Sequence, residues 1–355
     1  MADETFSIGC AVATQATLGT FDSTLETDSE FGGTITAAEG AVLGDRESGD
    51  AESGITIPTF TRLVRENADV AASFTRQVSS FERNQATGFT IAWQAKGNGA
   101  TVSGTPADGE AKPDAGIDAL IEGAGLIGAN GTAPTYEYAP RTNASSGGST
   151  RYISVALWIG THLWKFRDCV VEQLQLSNVA GEGGLWTANV RIGDVYEFGD
   201  DVTFPSFTFN NQASLSSPRV VSAPATYSTA KGFGSFTLSV NNAIEEVPDS
   251  NTANGFRLDQ TSRTFDIESQ LFLDTADSDL EYQELIRTTG TPANWSHQVG
   301  TAAGGSDVAN AYKVEARRIE VEEVKYDRAA TATVANLKGH ATHTSAGSEF
   351  TLTLN

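Results

Sequence analysis

The sequence predicts an α+β chain, mainly β, made of two tandem copies of one unit, each with a single short flanking helix. Three observations point there. Runs of β-branched and aromatic residues bounded by turn residues dominate the chain, and only two stretches carry helical spacing. The strand-like "FRDCVVEQLQLS" at 166–177 also returns as "ARRIEVEEVKYD" at 316–327, with apolar and charged positions in nearly the same places.

Bulk properties set the frame. A chain of 355 residues suffices for one large or two ordinary domains, each with its own core. With 39% hydrophobic residues and 35 glycines, a loop-rich β protein is expected. The net charge of −22 argues against binding a nucleic-acid backbone, because phosphates are repelled. Cys10 and Cys169 imply neither a disulfide framework nor a thiolate metal site. "MADETFSIGCAVATQ" lacks a basic n-region, and no run approaches the ~20 apolar residues of a membrane span. The expectation is a soluble protein made in a cytoplasm.

The elements follow in order. Residues 1–56, acidic and weakly periodic ("DSEFGGTITAAEGAVLGDRESGDAESG"), are either a flexible leader or an arm that orders against a partner. A first domain at 57–200 opens with strands "TIPTFTRLVR", "ASFTRQVSSF" and "GFTIAWQAKGNG", then a polar loop at 98–113. In "DAGIDALIEGAG" Asp114 is the candidate N-cap, Ile117, Leu120 and Ile121 are spaced for one helix face, and glycines stop the helix. Strands "PTYEYAPR", "RYISVALWIGTHLWKF", "RDCVVEQLQLS" and "LWTANVRIGDVYEF" complete the unit. A Pro- and Ser-bearing linker at 201–231 leads to the second domain, 232–355. There "GSFTLSVNNAIEE" and "RTFDIESQLFLD" are strands, and "SDLEYQELIRTTG" is a helix capped by Ser278 with Leu280, Leu285 and Ile286 on one side. "AYKVEARRIEVEEVKYD", "ATATVANLKGHAT" and "SEFTLTLN" are again strands.

The halves match in order. Phe89 and Ile91 correspond to Phe265 and Ile267, and Leu120, Ile121 and Gly125 to Leu285, Ile286 and Gly290. In the repeated strand Arg167, Cys169, Val171, Glu172, Leu174 and Leu176 correspond to Arg317, Ile319, Val321, Glu322, Val324 and Tyr326. "ANVR" at 188–191 is set against "ANLK" at 335–338. Either one unit is duplicated, or two β-rich domains share a pattern by coincidence.

Within the repeated strand the apolar phase flips once. Cys169 and Val171 lie on one face while Leu174 and Leu176 lie on the other, and the second copy flips at the same place. A bulge, or a strand leaving one layer for another, would do this, with the bend at Glu172 and Gln173 and at Glu322 and Glu323. The acidic residues Asp168, Glu172, Glu320, Glu322 and Glu323 are either a solvated outer face or the lining of an acidic passage.

No enzyme motif survives inspection. "GAGLIG" at 123–128 fits G-x-G-x-x-G, but a helix precedes it where a strand is required. His340 and His343 at i, i+3 on a strand face opposite sides, so a metal shared with Glu349 is not expected. His162 reads as a packed strand residue and His297 as a loop residue. There is no G-x-S-x-G elbow and no P-loop. No catalytic, cofactor-binding or metal-binding residue is assigned.

The second half, "FTLSVNNAIEEVPDSNTANGFRLDQTSRTFDIESQLFLDTADSDLEYQELIRTTG", resembles the tail tube (major tail) proteins of long-tailed double-stranded-DNA viruses. The likeness covers about 232–352 and reaches the first half only through the duplication. It implies a β-sandwich or partial barrel flanked by a helix, and rings that stack into a hollow tube through which the genome passes. Such rings commonly hold six copies of the fold, so a chain with two copies implies a homotrimeric, pseudo-sixfold ring. The implied location is the virion tail, assembled in the host cytoplasm. The implied partners are further copies of the chain, the tail tip or baseplate, the tail terminator, the tape measure protein, and passing DNA that is not specifically bound. Glu172, Glu322 and Glu320 are the expected lumen carboxylates, repelling phosphates so that DNA slides. The leader at 1–56 and the loops at 98–113, 143–150 and 297–310 are candidates for contacts between successive rings. The rival reading is a β-sandwich decoration protein or carbohydrate-binding adhesin, with Trp158, Trp164 and Trp186 as ligand platforms.

Overall fold

The computed structural model describes residues 8–23, 25, 34–36, 41–42, 54–66, 78–95, 112–131, 135–142, 150–180, 184–199, 206–208, 220–224, 233–252, 255–272, 293–299, 311–329, 332–342 and 349–354. The first strands are β1 (Ile8–Thr14), β2 (Thr34–Thr36), β3 (Ala41–Val42), β4 (Phe60–Glu66), β5 (Val78–Ala86) and β6 (Phe89–Gln94). Helix α1 (Ala115–Gly123) precedes β7 (Leu126–Asn130), β8 (Tyr136–Pro140), β9 (Ile153–Ile159), β10 (His162–Val179), β11 (Leu185–Arg191) and β12 (Asp194–Gly199). Next come β13 (Ser206–Thr208), β14 (Val220–Pro224), β15 (Phe233–Pro248) and β16 (Phe256–Phe272). The chain ends with β17 (Ala293–Val299), β18 (Tyr312–Ala329), β19 (Ala332–Ala341) and β20 (Phe350–Leu354). The fold is α+β and mainly β.

A single 16-stranded sheet holds most of these strands along the path β3-β1-β9-β10-β15-β16-β19-β18-β20-β8-β7. It crosses freely between the halves. The C-terminal part of β10 pairs with β15, and β20 pairs with β8. Alternation makes the strands two-faced: in β15 Phe236, Leu238 and Val240 are buried while Thr237, Ser239 and Asn241 turn outward.

The apolar faces form a main core that mixes Leu120 and Ile121 of α1, Val171 and Leu174 of β10, Leu238 of β15, Ile267 of β16 and Phe350 of β20, and a smaller cluster around Phe21, Trp158 and Leu163. Fully burying side chains of this size contributes about 1.5–3 kcal/mol each. α1 begins after Asp114, as expected, although the Asp114 side chain makes no capping hydrogen bond. It ends as Gly125 takes φ 82°, a left-handed conformation that glycine adopts without steric cost. Strand β7 follows at once, so "GAGLIG" is a helix–turn–strand, the reverse of a dinucleotide fingerprint.

Two long strands bend at corresponding positions. The register of β10 on β11 shifts between Val171 and Gln173, leaving Glu172 unmatched. The register of β18 on β19 shifts between Val321 and Glu323, leaving Glu322 unmatched. The extra residue resolves the phase flip, because Val171 and Leu174 both reach the same core.

Several expectations need correction. The 1–56 leader contains β1, which pairs with β9 over its whole length and buries Cys10, Ala11 and Val12 completely. Cys10 is therefore a core residue rather than a leader thiol. The 201–231 linker contains β14, which pairs with β17. "LWTANVRIGDVYEF" divides into β11 and β12 around Gly193, which passes so close to the Asp168 backbone that a Cβ there would collide with its carbonyl. The letters "ANVR" and "ANLK" do not occupy matched register: Leu174 faces Ala188, whereas Val324 faces Leu337. The second predicted helix at 278–290, most of loops 98–113, 143–150 and 297–310, and His343 lie outside the described residues.

Candidate functional site

The outward face of the central strands carries a continuous side-chain ladder. Thr90 Oγ1 on β6 donates to Asn189 Oδ1 on β11 at 2.9 Å. Asn189 Nδ2 donates to Gln173 Oε1 on β10, and Gln173 Nε2 to Asn241 Oδ1 on β15, both at 2.8 Å. Asn241 Nδ2 donates to Asp266 Oδ2 on β16 at 2.7 Å. Asp266 Oδ1 meets His340 Nδ1 on β19, and His340 Nε2 lies 2.8 Å from Glu322 Oε1 on β18. The ladder follows the sheet order β6-β11-β10-β15-β16-β19-β18 and steps diagonally between β15 and β16, where Asn241 stands opposite Thr264 and Asp266 opposite Ser239.

This ladder works because the alternation in "EQLQLS" and "FTLSVNN" sends leucines and valines inward and amides and hydroxyls outward. Each amide both donates and accepts, so neighbouring strands are tied together and few polar atoms remain to grip a ligand. Two further cross-strand bonds on this face join Gln175 to Ser239 at 3.3 Å and, farther along β16, Gln270 to Asn336 at 3.0 Å. Between Glu268, Gln270, Lys325, Asn336 and Lys338 lies a shallow cleft of about 430 Å³.

The predicted acidic residues take different places. Glu172, Glu320, Glu322 and Glu323 are exposed, and Gln173 is half-buried within the ladder. Glu172 lies 3.9 Å from Arg191, which also pairs with Glu246 at 3.1 Å. Each bulge carboxylate thus stands beside a basic side chain, Arg191 or His340, and these two occupy corresponding positions opposite Val170 and Glu320. Asp168 does not join this face. It is buried at φ 55°, accepts hydrogen bonds from the Gln15 amide and from Gly19 N at 2.7 Å, and secures the turn after β1 to β10. Desolvation raises its pKa despite those bonds.

The histidines also separate. His162 is exposed and stacks on Phe198 at 5.7 Å rather than packing inward. His297 belongs to β17, fully buried and stacked on Phe236 at 3.8 Å, which corrects its assignment to a loop. Trp158 and Trp186 are core residues, and Trp164 is half-buried against Phe60 and Phe198.

No protein-family model matches this chain, and no curated protein matches it either.

The ladder was only partly visible beforehand. Gln173 and Glu322 stood out as bend residues and His340 only as a discarded metal ligand, while Asn189, Asn241 and Asp266 did not stand out. Their signal is the polar half of each alternating strand, and it becomes a site only once the strand order is known.

Proposed function

We propose that this chain is a structural tail tube protein of a long-tailed DNA virus, assembling as rings that stack into a hollow tube, with the ladder face toward the passage. The observation that carries the reading is the two-faced sheet running unbroken through both halves, one side core and the other a self-satisfied polar ladder. Such a wall suits a sliding polyanion. Its amides are already bonded to each other, and several of its cations are held by carboxylates: Lys338 by Glu268 at 3.1 Å and Lys325 by Asp327 at 3.0 Å. Phosphates then find little positive charge to neutralise, in keeping with the chain's net −22. The recurrence of the bulge, and of its neighbouring base, supports a duplicated unit and hence three chains per ring. The protein would be made in the host cytoplasm and act in the virion tail, alongside the tip, terminator and tape measure proteins.

Negative-stain microscopy of concentrated protein tests this. Stacked rings with a central hole are expected, and a protein that stays monomeric at high concentration would refute the reading. One observation favours the carbohydrate-binding alternative: Phe60, Trp164, His162 and Phe198 form a partly exposed aromatic group. Glycan binding lost on Trp164→Ala, with no assembly, would support that alternative.

A further inference from the structure

Among the described residues, two of the sheet's open edges can be compared with its own internal junction, which shows how they fit. The C-terminal part of β10 lies between β11 and β15. The corresponding part of β18, from Glu323 to Ala329, is paired with β19, and no other described strand pairs with it. At the opposite end, residues 54–59 run antiparallel along β6, with Ile55 opposite Ile91 and Thr56 N donating to Thr90 O at 2.9 Å. Among the described residues no strand pairs with their far side.

These edges correspond to the two sides of the β10–β15 junction. Beside β16, Leu238 stands opposite Ile267, Ser239 opposite Asp266 and Val240 opposite Phe265. Ile55 opposite Ile91 and Thr56 beside Thr90 hold the same places next to β6, so Ile57 takes the place of Val240. Across the junction, Leu174, Gln175 and Leu176 face Val240, Ser239 and Leu238. At the same distance beyond the other bulge stand Val324, Lys325 and Tyr326.

We infer that copies of this chain join edge to edge, β18 of one copy pairing antiparallel with residues 54–59 of the next, in the register Val324 to Ile57, Lys325 to Thr56 and Tyr326 to Ile55. The inference rests on the ring-forming reading and specifies its seam. Three features support it. Gly54 and Thr56 spend their hydrogen bonds on β6, so the alternate residues Ile55 and Ile57 turn their N–H and C=O groups outward. Ile57 is 47% exposed and Val324 half-buried, whereas Leu174 and Val240, their counterparts at the internal junction, are fully buried. Finally, a head-to-tail contact of this kind covers both of these edges, and it makes a ring where its rotation closes.

The test is a pair of cysteines across the seam. Thr56 and Lys325 fall in a non-hydrogen-bonded pair, where Cα atoms lie about 4.5 Å apart, within disulfide range. Both side chains are exposed, and the native Cys10 and Cys169 are buried and do not compete. Under mild oxidation the double variant Thr56→Cys/Lys325→Cys should form cross-linked dimers and trimers on non-reducing gels. The single variants, and the register control Thr56→Cys/Glu323→Cys, should give at least about tenfold less. Rings that form without the cross-link, or that cross-link equally in both registers, overturn the seam but leave the ring-forming reading standing. A cross-link confined to one chain likewise overturns the seam alone, whereas protein that stays monomeric in solution at high concentration, with no rings by microscopy, overturns both.

Discussion

At His297 a titratable ring occupies a core position. His297 faces Val314 and is fully buried. Burial pushes the imidazole pKa from 6.5 down to about 3. Between those values the unfolded chain takes up a proton that the folded chain refuses, so stability falls as pH drops below 6.5. The loss is about 1.4 kcal/mol per unit, or about 2 kcal/mol near pH 5. Denaturant titrations should show this acid sensitivity shrinking in His297→Leu; an unchanged pH slope would disprove the assignment. Gly193 supplies a second test, because any Cβ there collides with the Asp168 carbonyl. Gly193→Ala should cost about 1–3 kcal/mol, seen as a lowered melting temperature. Neither role was legible in sequence. "NWSHQVG" reads as polar loop, and only Phe236, stacked on the ring from β15, reveals a core position.

Among the elements, the bent strand was the most legible. Its phase flip could be read from residue order alone, since alternation is a local property. Deleting Glu172 would bring Val171 and Leu174 two residues apart in plain alternation, so Leu174 and Leu176 should stay in the core and thermal unfolding should remain cooperative, with only the bulge lost. Glu172→Gln keeps the count and should leave the melt unchanged. Asn242 supports the bend from behind: its amide donates to Val171 O at 2.8 Å and to Ala124 O at 3.0 Å, joining the β10 bulge to the end of α1. Asn242→Ala leaves those buried carbonyls short of a donor and should cost about 1–3 kcal/mol in chemical denaturation. Strands β1 and β14 were not legible. "IGCAVAT" and "VVSAP" are short, their neighbours look like leader and linker, and the strands that order them, β9 and β17, lie far along the chain.

For the molecule as a whole, strand-rich composition and one helix were readable, but the joining of the halves was not. Nothing local in "EQLQLS" says that it pairs with "FTLSV", because sheet partners are chosen by the core they share. The same limit applies to the ladder, whose charge balance bears on the proposed passage. Replacing Glu172 and Glu322 together by Lys should leave assembly intact and slow DNA ejection from assembled particles; an unchanged ejection rate would remove both from the wall. The β10–β15 junction has a kinetic meaning as well. Strands tethered in one chain meet at an effective concentration in the millimolar range for short linkers, and closing longer loops adds only slowly to the cost. In a ring of such chains, every second seam is made during folding, whatever the dilution. Only the others depend on encounter, so raising protein concentration should drive assembly with a reaction order set by chains rather than by repeated units.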